Sequence, residues 1–166
     1  MVEAESEPRW LAGDEQETWM SVAAVLMHLP GALDAQLQRD AGLTHFEYLV
    51  LSGLSMAESH TMRMSDLAAV AEGSLPRLSQ VVSRLERRGW VRRSPDPTDG
   101  RYTLAALTEE GWAKVVATAP GHVEAVRRFV FDPLTKPQQR QLGEIGRRIL
   151  GAVAPNDRCP TVRKAP

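Results

Sequence analysis

Between Ser74 and Thr103 the chain places seven arginines, Arg77, Arg84, Arg87, Arg88, Arg92, Arg93 and Arg101, against three acids, Glu86, Asp96 and Asp99. That is a local excess of +4 in a chain whose formal charge is −1. Guanidinium forks suit phosphate oxygens and the O6/N7 edge of guanine, and a Gln side chain can pair with adenine. Gln80 and Arg84 are four residues apart, hence on one side of any helix through this stretch, and Ser74, Ser79 and Ser83 flank them. The chemistry on offer is recognition of a polyanion. Bond-making chemistry has no comparable support: Ser59-His60 and Glu109-Glu110 are adjacent pairs that do not converge, and there is no glycine-rich phosphate loop. An enzyme is therefore not expected. His28, His45, His60 and His122 include no i, i+4 pair and have no cysteine companions, so neither a metal site of the usual spacing nor a cofactor is implied.

These side chains need a scaffold that brings them to one face. Ser74 caps a helix from Leu75 to Arg88 before Gly89, and Pro76 falls in its first turn, where a missing N–H costs little. Leu78, Val81, Val82 and Leu85 form the core-facing stripe, leaving Arg77, Ser79, Gln80, Ser83 and Arg84 outward. Gln80 and Arg84 are the expected base readers, whereas the serines are expected to touch phosphates. Upstream, Thr44 with Glu47 makes a capping box for a helix ending near Met56, and Ser59 and His60 lie in a polar link. Ser65 then caps a short helix, Asp66 to Ala71, broken by Gly73; helix, glycine turn, helix is the helix-turn-helix outline. Downstream, Trp90–Arg93 and Arg101–Leu107 read as strands around a turn from Ser94 to Gly100. A β-hairpin directly after the second helix is a wing. Asp99-Gly100 permits a tight turn that leaves Arg101 at the tip, where the negative potential of a narrow minor groove attracts an arginine.

Longer helices flank this unit. Asp14 with Glu17 predicts a helix start, and Trp19, Val22, Leu26, Leu29, Leu33 and Leu37 form its stripe to about Arg39, with a kink or break expected near Leu29 because Pro30 follows. Thr108 caps a fifth helix with Glu109 and Glu110 in its first turn, striped by Trp112, Val115, Ala119, Val123, Val126 and Val130 and bent at Pro120-Gly121. Thr135 with Gln138 opens a last helix carrying Leu142, Ile145, Ile149 and Val153. A winged helix over 44–107 leaves those stripes little to pack on, so a second copy is expected to cover them. Two-fold pairing places two recognition helices about one DNA turn, ~34 Å, apart on an inverted repeat. The fold class is mainly α with a small β-hairpin wing, a winged helix-turn-helix lobe flanked by N- and C-terminal dimerisation helices at about 14–39 and 108–153. Residues 1–13 read as a polar arm, 14–154 as a single domain and 155–166 as a disordered tail.

Composition sets the outer bounds. At 166 residues, 43% hydrophobic and 25% charged, the chain suits one globular domain, which excludes disordered and fibrous classes. Twenty Lys and Arg against 21 Asp and Glu exclude a uniformly basic, histone-like binder; from Met1 to Asp34 there are seven acids and one Arg. The lone Cys159 allows no intrachain disulfide and reads as an incidental thiol in a reducing compartment. The acidic start is unlike a signal peptide, and the longest apolar run, Val22 to Met27, is short of the ~20 residues of a membrane span, so a cytoplasmic protein without a membrane partner is expected.

The stretch SLPRLSQVVSRLERRGWVRRSPDPTDGRYTLAALTEEG, Ser74 to Gly111, resembles the recognition helix, wing and following helix start of MarR-family transcriptional regulators. Asp96, Asp99 and Arg101, then Leu107, Thr108 and Gly111, carry the resemblance, and the order of elements from Asp14 to Val153 agrees with it. It implies a homodimer with interlocked terminal helices on palindromic double-stranded DNA, Arg101 in the minor groove and Asp99 holding its guanidinium. Many members have a basic residue where this chain has Thr98. The resemblance also implies a pocket for a small, often phenolic, anionic effector, for which Trp19, His28, His45, Tyr48, Arg63 and Trp112 are the candidates. Urate-responsive members carry an Asp where Leu49 stands, which argues against urate. The combined expectation is a repressor, because a dimer lying across promoter elements blocks polymerase. The alternative, a winged-helix module for protein contacts alone, predicts a neutral recognition face and no wing arginine.

Overall fold

The computed structural model describes residues 8–154. Cys159, with all of the expected tail, and residues 1–7 of the arm lie outside them. Two compact units divide the chain inside one helix, with the boundary between His122 and Val123. The described residues are 71% helical with one small three-stranded sheet among them, the mainly α winged-helix class expected.

The first unit begins with α1, Gly13–Ala41. Its cap is Ala12, whose N–H donates to the Glu15 carboxylate at 2.8 Å, so Asp14 lies inside the first turn instead of capping it. Nor does Pro30 break the helix, which is continuous from Gly13 to Ala41. Pro30 is exposed, and at such a position the cost is one backbone hydrogen bond with no core to disturb. The length and composition of α1 also correct the argument from its short apolar run. One 18-residue window averages a mean hydropathy of 1.2, enough to cross a membrane by that measure, and only 11% of it is buried.

Thr44 caps α2, His45–Met56, in a full capping box: its hydroxyl accepts the Glu47 N–H and the Glu47 carboxylate accepts the Thr44 N–H. The expected polar link contains a 3-10 turn, Glu58–His60, followed by a strand, β1, Thr61–Arg63, that was not anticipated. Helix α3, Met64–Val70, is capped at Arg63 rather than Ser65, whose hydroxyl donates to Asp66 instead. Helix α4 is Leu75–Arg87, followed by β2, Val91–Pro95, and β3, Thr103–Leu107. Strand β3 is central and antiparallel to both neighbours, pairing Thr61 with Ala106 and Val91 with Leu107.

Leu37, Leu43, Val50, Leu51, Leu54, Leu67, Leu78, Val82, Leu85 and Val91 are fully buried, so one core joins the end of α1 to α2, α3, α4 and β2. Helix α5, Glu109–Val126, is keyed onto the sheet. Thr108 donates its N–H to the Trp90 carbonyl and its hydroxyl to the Gly89 carbonyl, and accepts the Gly111 N–H. A Cβ at Gly111 would lie 2.1 Å from the Trp90 carbonyl oxygen, so only glycine fits there. Helix α5 passes Pro120-Gly121 without a break.

In the second unit the end of α5 gives way to a π-helical turn, Arg127–Phe131, before α6, Lys136–Val153. The Thr135 N–H and hydroxyl both donate to Gln138, closing the expected cap. Leu142, Ile145, Ile149 and Val153 are exposed along α6.

Candidate nucleic-acid interface

Helix α4 and the hairpin form one basic surface because side chains fasten them together. Ser74 caps α4 by accepting the Arg77 N–H, and Leu78, Val81, Val82 and Leu85 are buried against the core. The opposite side presents Pro76, Gln80 and Arg87 to solvent. Ser79 and Ser83 are half-buried on the flank nearer the wing, where the Ser83 hydroxyl accepts from Arg93 at 3.1 Å. Arg93 also grips Glu86 through its backbone N–H, Nε and Nη2, at 3.0, 3.0 and 2.7 Å, which ties β2 to α4. These bonds hold the Glu86 carboxyl below the usual carboxylate range.

The wing is set by two acids. Asp96 is buried and accepts the Thr98 hydroxyl at 2.6 Å, the Thr98 N–H at 2.8 Å and Arg63 Nη2 at 2.8 Å. The Thr98 bonds and then Arg63 lower its carboxyl to about 2. Asp99 accepts Arg101 through Nε at 2.9 Å and Nη2 at 2.6 Å, plus the Arg101 backbone N–H at 3.2 Å. The Arg101 guanidinium thereby lowers the Asp99 carboxyl and is itself held more firmly protonated. The Arg101 side chain is nonetheless 84% exposed, a fixed cation standing in open solvent. Between wing and α4 runs a groove of about 360 Å³ whose walls include Arg63, Ser65, Ser79, Arg93, Arg101 and Tyr102.

Two α4 arginines make contacts away from that groove. Arg77 lies over the Phe46 ring, 4.2 Å from its centroid, and Arg84 Nε donates to buried Glu47 at 3.3 Å. Both, with Gln80, line a second, wider cleft of about 910 Å³ bounded by Pro30, Asp34, His45 and Leu49.

The effector candidates are not gathered in one place. His45 and Tyr48 both approach His122, at 6.1 and 4.6 Å between ring centroids, and Gln36 bonds His122 at 3.3 Å. Burial holds both imidazoles below the usual histidine range, and His45 adds to the effect on His122. Trp112 instead packs on His60, at 4.7 Å, while Trp19 and His28 are exposed on α1. Arg63, also considered for that pocket, faces the wing, with its guanidinium 4.4 Å from the centre of the Tyr102 ring. Its place in the groove between wing and α4 was missed, as was the grip of Glu47 on Arg84. Neither has a local signal, since the partners are 33 and 37 residues apart. Among the described residues no three His, Cys, Asp or Glu side chains converge as metal ligands would.

Known proteins share this architecture. The MarR family profile matches residues 43–103. The chain is 35% identical over 98 residues to YdcH of Bacillus subtilis, an HTH-type transcriptional regulator, covering 58% of this chain and 66% of that protein. It is 25% identical over 109 residues to the transcriptional repressor MprA of Escherichia coli, covering 66% and 61%. The match thus spans less than two thirds of these curated relatives. Among solved structures, Sco3205 of Streptomyces coelicolor, a MarR family transcriptional regulator in complex with DNA, has a TM-score of 0.85 at 46% identity, over 91% of this chain and 94% of that one. AbsC, a MarR family transcriptional regulator from the same organism, has a TM-score of 0.82 at 36% identity, over 88% and 98%.

Proposed function

The chain belongs to the MarR family of transcriptional regulators, and from that premise we propose that it is a cytoplasmic homodimer that represses transcription from an inverted-repeat operator. Residues 14–154 act as one regulatory domain. The observation that carries the reading is Arg101, braced by Asp99 yet 84% exposed, beside an α4 whose outer face carries Gln80 and Arg87. In this reading Arg101 enters the minor groove and α4 the major groove. Gln80 and Arg84 read bases, Ser74 and Arg77 approach phosphates near the helix N-terminus, and Ser79 and Ser83 line the wing side. Pro76 shapes the first turn.

Dimerisation is supported by the apolar residues left exposed on α1, among them Trp19, Met20, Leu26 and Met27, and by those exposed on α6. Exposed apolar surface of this extent is covered by a partner in a stable protein, and the membrane-like composition of α1 follows from the same requirement. A small anionic or phenolic ligand relieves repression. Of the candidates for its site, His45 lines the wide cleft and so can influence the α4 face most directly. Enzymatic turnover plays no part in the reading.

The test is selection of purified protein against random duplexes, followed by a salt titration of the winners. An enriched inverted repeat with half-site centres ~10 bp apart and a steep fall of affinity with salt is expected. No enrichment would remove the reading and leave the protein-contact alternative.

A further inference from the structure

Glu47 is anchored at both carboxylate oxygens. One accepts the Thr44 N–H at 2.9 Å and closes the cap of α2; the other accepts Arg84 Nε at 3.3 Å and grips the recognition helix. The Glu47 side chain is 5% exposed while that of Arg84 is 45% exposed, so the acid is sunk in the lobe and the guanidinium reaches out from it. An arginine can address guanine side-on, through Nε and Nη2, or end-on, through its two Nη groups. Once Nε is committed to a buried acid, only the end-on pair is left to point outward. The grip also stops a long, rotamer-rich side chain from swinging to whichever phosphate is nearest.

We propose that Glu47 is a specificity-determining positioning residue that presents Arg84 end-on to one base pair in each half-site. Without it Arg84 is a mobile counter-charge for phosphates. The inference rests on the DNA-binding reading above and deepens it. It also explains why a carboxylate is kept inside a surface that must approach a polyanion: paired and capped, it directs a cation instead of repelling the ligand.

The experiment uses the full chain, the selected duplex, and duplexes altered one base pair at a time, with wild type, Glu47→Gln, Arg84→Lys and the double variant. Gln keeps an acceptor for the Thr44 N–H, as capping boxes allow, but loses the charge that holds Arg84. Glu47→Asp keeps the charge and shortens the reach, and serves as a second probe of the same grip. Wild type is expected to discriminate about 10- to 100-fold at one base pair per half-site. Each single variant loses most of that discrimination, the double variant loses no more than either single one, and Glu47→Gln steepens the salt dependence as Arg84 turns to phosphate. Undiminished discrimination in both Glu47 variants, or losses that add in the double variant, would overturn the proposal. So would tighter binding by Glu47→Gln with unchanged base preference, which would mean that Glu47 withholds Arg84 from DNA. A wild type with no base preference would instead bring down the DNA-binding reading itself, and is seen before any variant is measured.

Discussion

The wing and the recognition helix secure their arginines in opposite ways. Arg101 is braced by Asp99, two residues away in the same turn, and stands almost wholly in solvent. Arg84 is braced by Glu47, 37 residues away on another helix and buried. The wing tip therefore takes its geometry from the local chain, and the helix flank takes its geometry from the packing of α2 against α4. A local brace survives wherever its turn forms, whereas a tertiary brace is only as firm as the lobe around it.

Substitutions at Arg101, Glu47 and Asp99 should separate the two regimes. Removing the wing cation by Arg101→Ala is expected to weaken operator binding by about 1–3 kcal/mol and to lower the salt slope by about one per wing. Its melting temperature should not move, and a salt titration beside a thermal melt reads both. Glu47→Ala attacks the tertiary brace and should cost about 1–2 kcal/mol of folding stability, because a helix cap and the partner of Arg84 go together; denaturant unfolding measures it. Asp99→Ala is the matched local case. An exposed pair contributes little to the fold, so stability should change by less than about 0.5 kcal/mol while affinity falls about two- to threefold as Arg101 loses its direction. A drop in stability equal to that of Glu47→Ala would erase the contrast.

The smallest effect concerns acid. Asp96 has its carboxyl lowered from 3.8 to about 2 by Thr98 and Arg63, so as pH falls the unfolded chain takes up this proton before the folded one does. Its contribution to stability is complete above 3.8 and is lost as pH falls from there towards 2. Asp96→Asn, melted over the same range, should lose less with acid than wild type. An identical acid profile would show that the Asp96 bonds do not hold the base of the wing.

The contrast also explains what could be read from the sequence. Thr44 with Glu47, Ser74, Thr108, and Thr135 with Gln138 were legible as helix starts because a cap is a contact across three residues. Asp99 beside Arg101 was legible for the same reason, with the family resemblance naming the role. Glu47 was visible as a capping residue and invisible as the partner of Arg84. Strand β1, three half-buried residues, carries no alternation of its own and exists because β3 offers it an edge. Pro30 misled in the other direction: a local penalty predicted a kink or a break, and the helix runs from Gly13 to Ala41 without the break.

Gly111 gives the lobe a mechanical property. With no room for a side chain against the Trp90 carbonyl, and with Thr108 bonded to both Gly89 and Trp90, the first turn of α5 and the root of the hairpin form a welded joint with no hinge between them. A tilt of the first turn of α5 therefore bears directly on the residues that enter β2, so the start of that helix and the root of the wing are set as one piece.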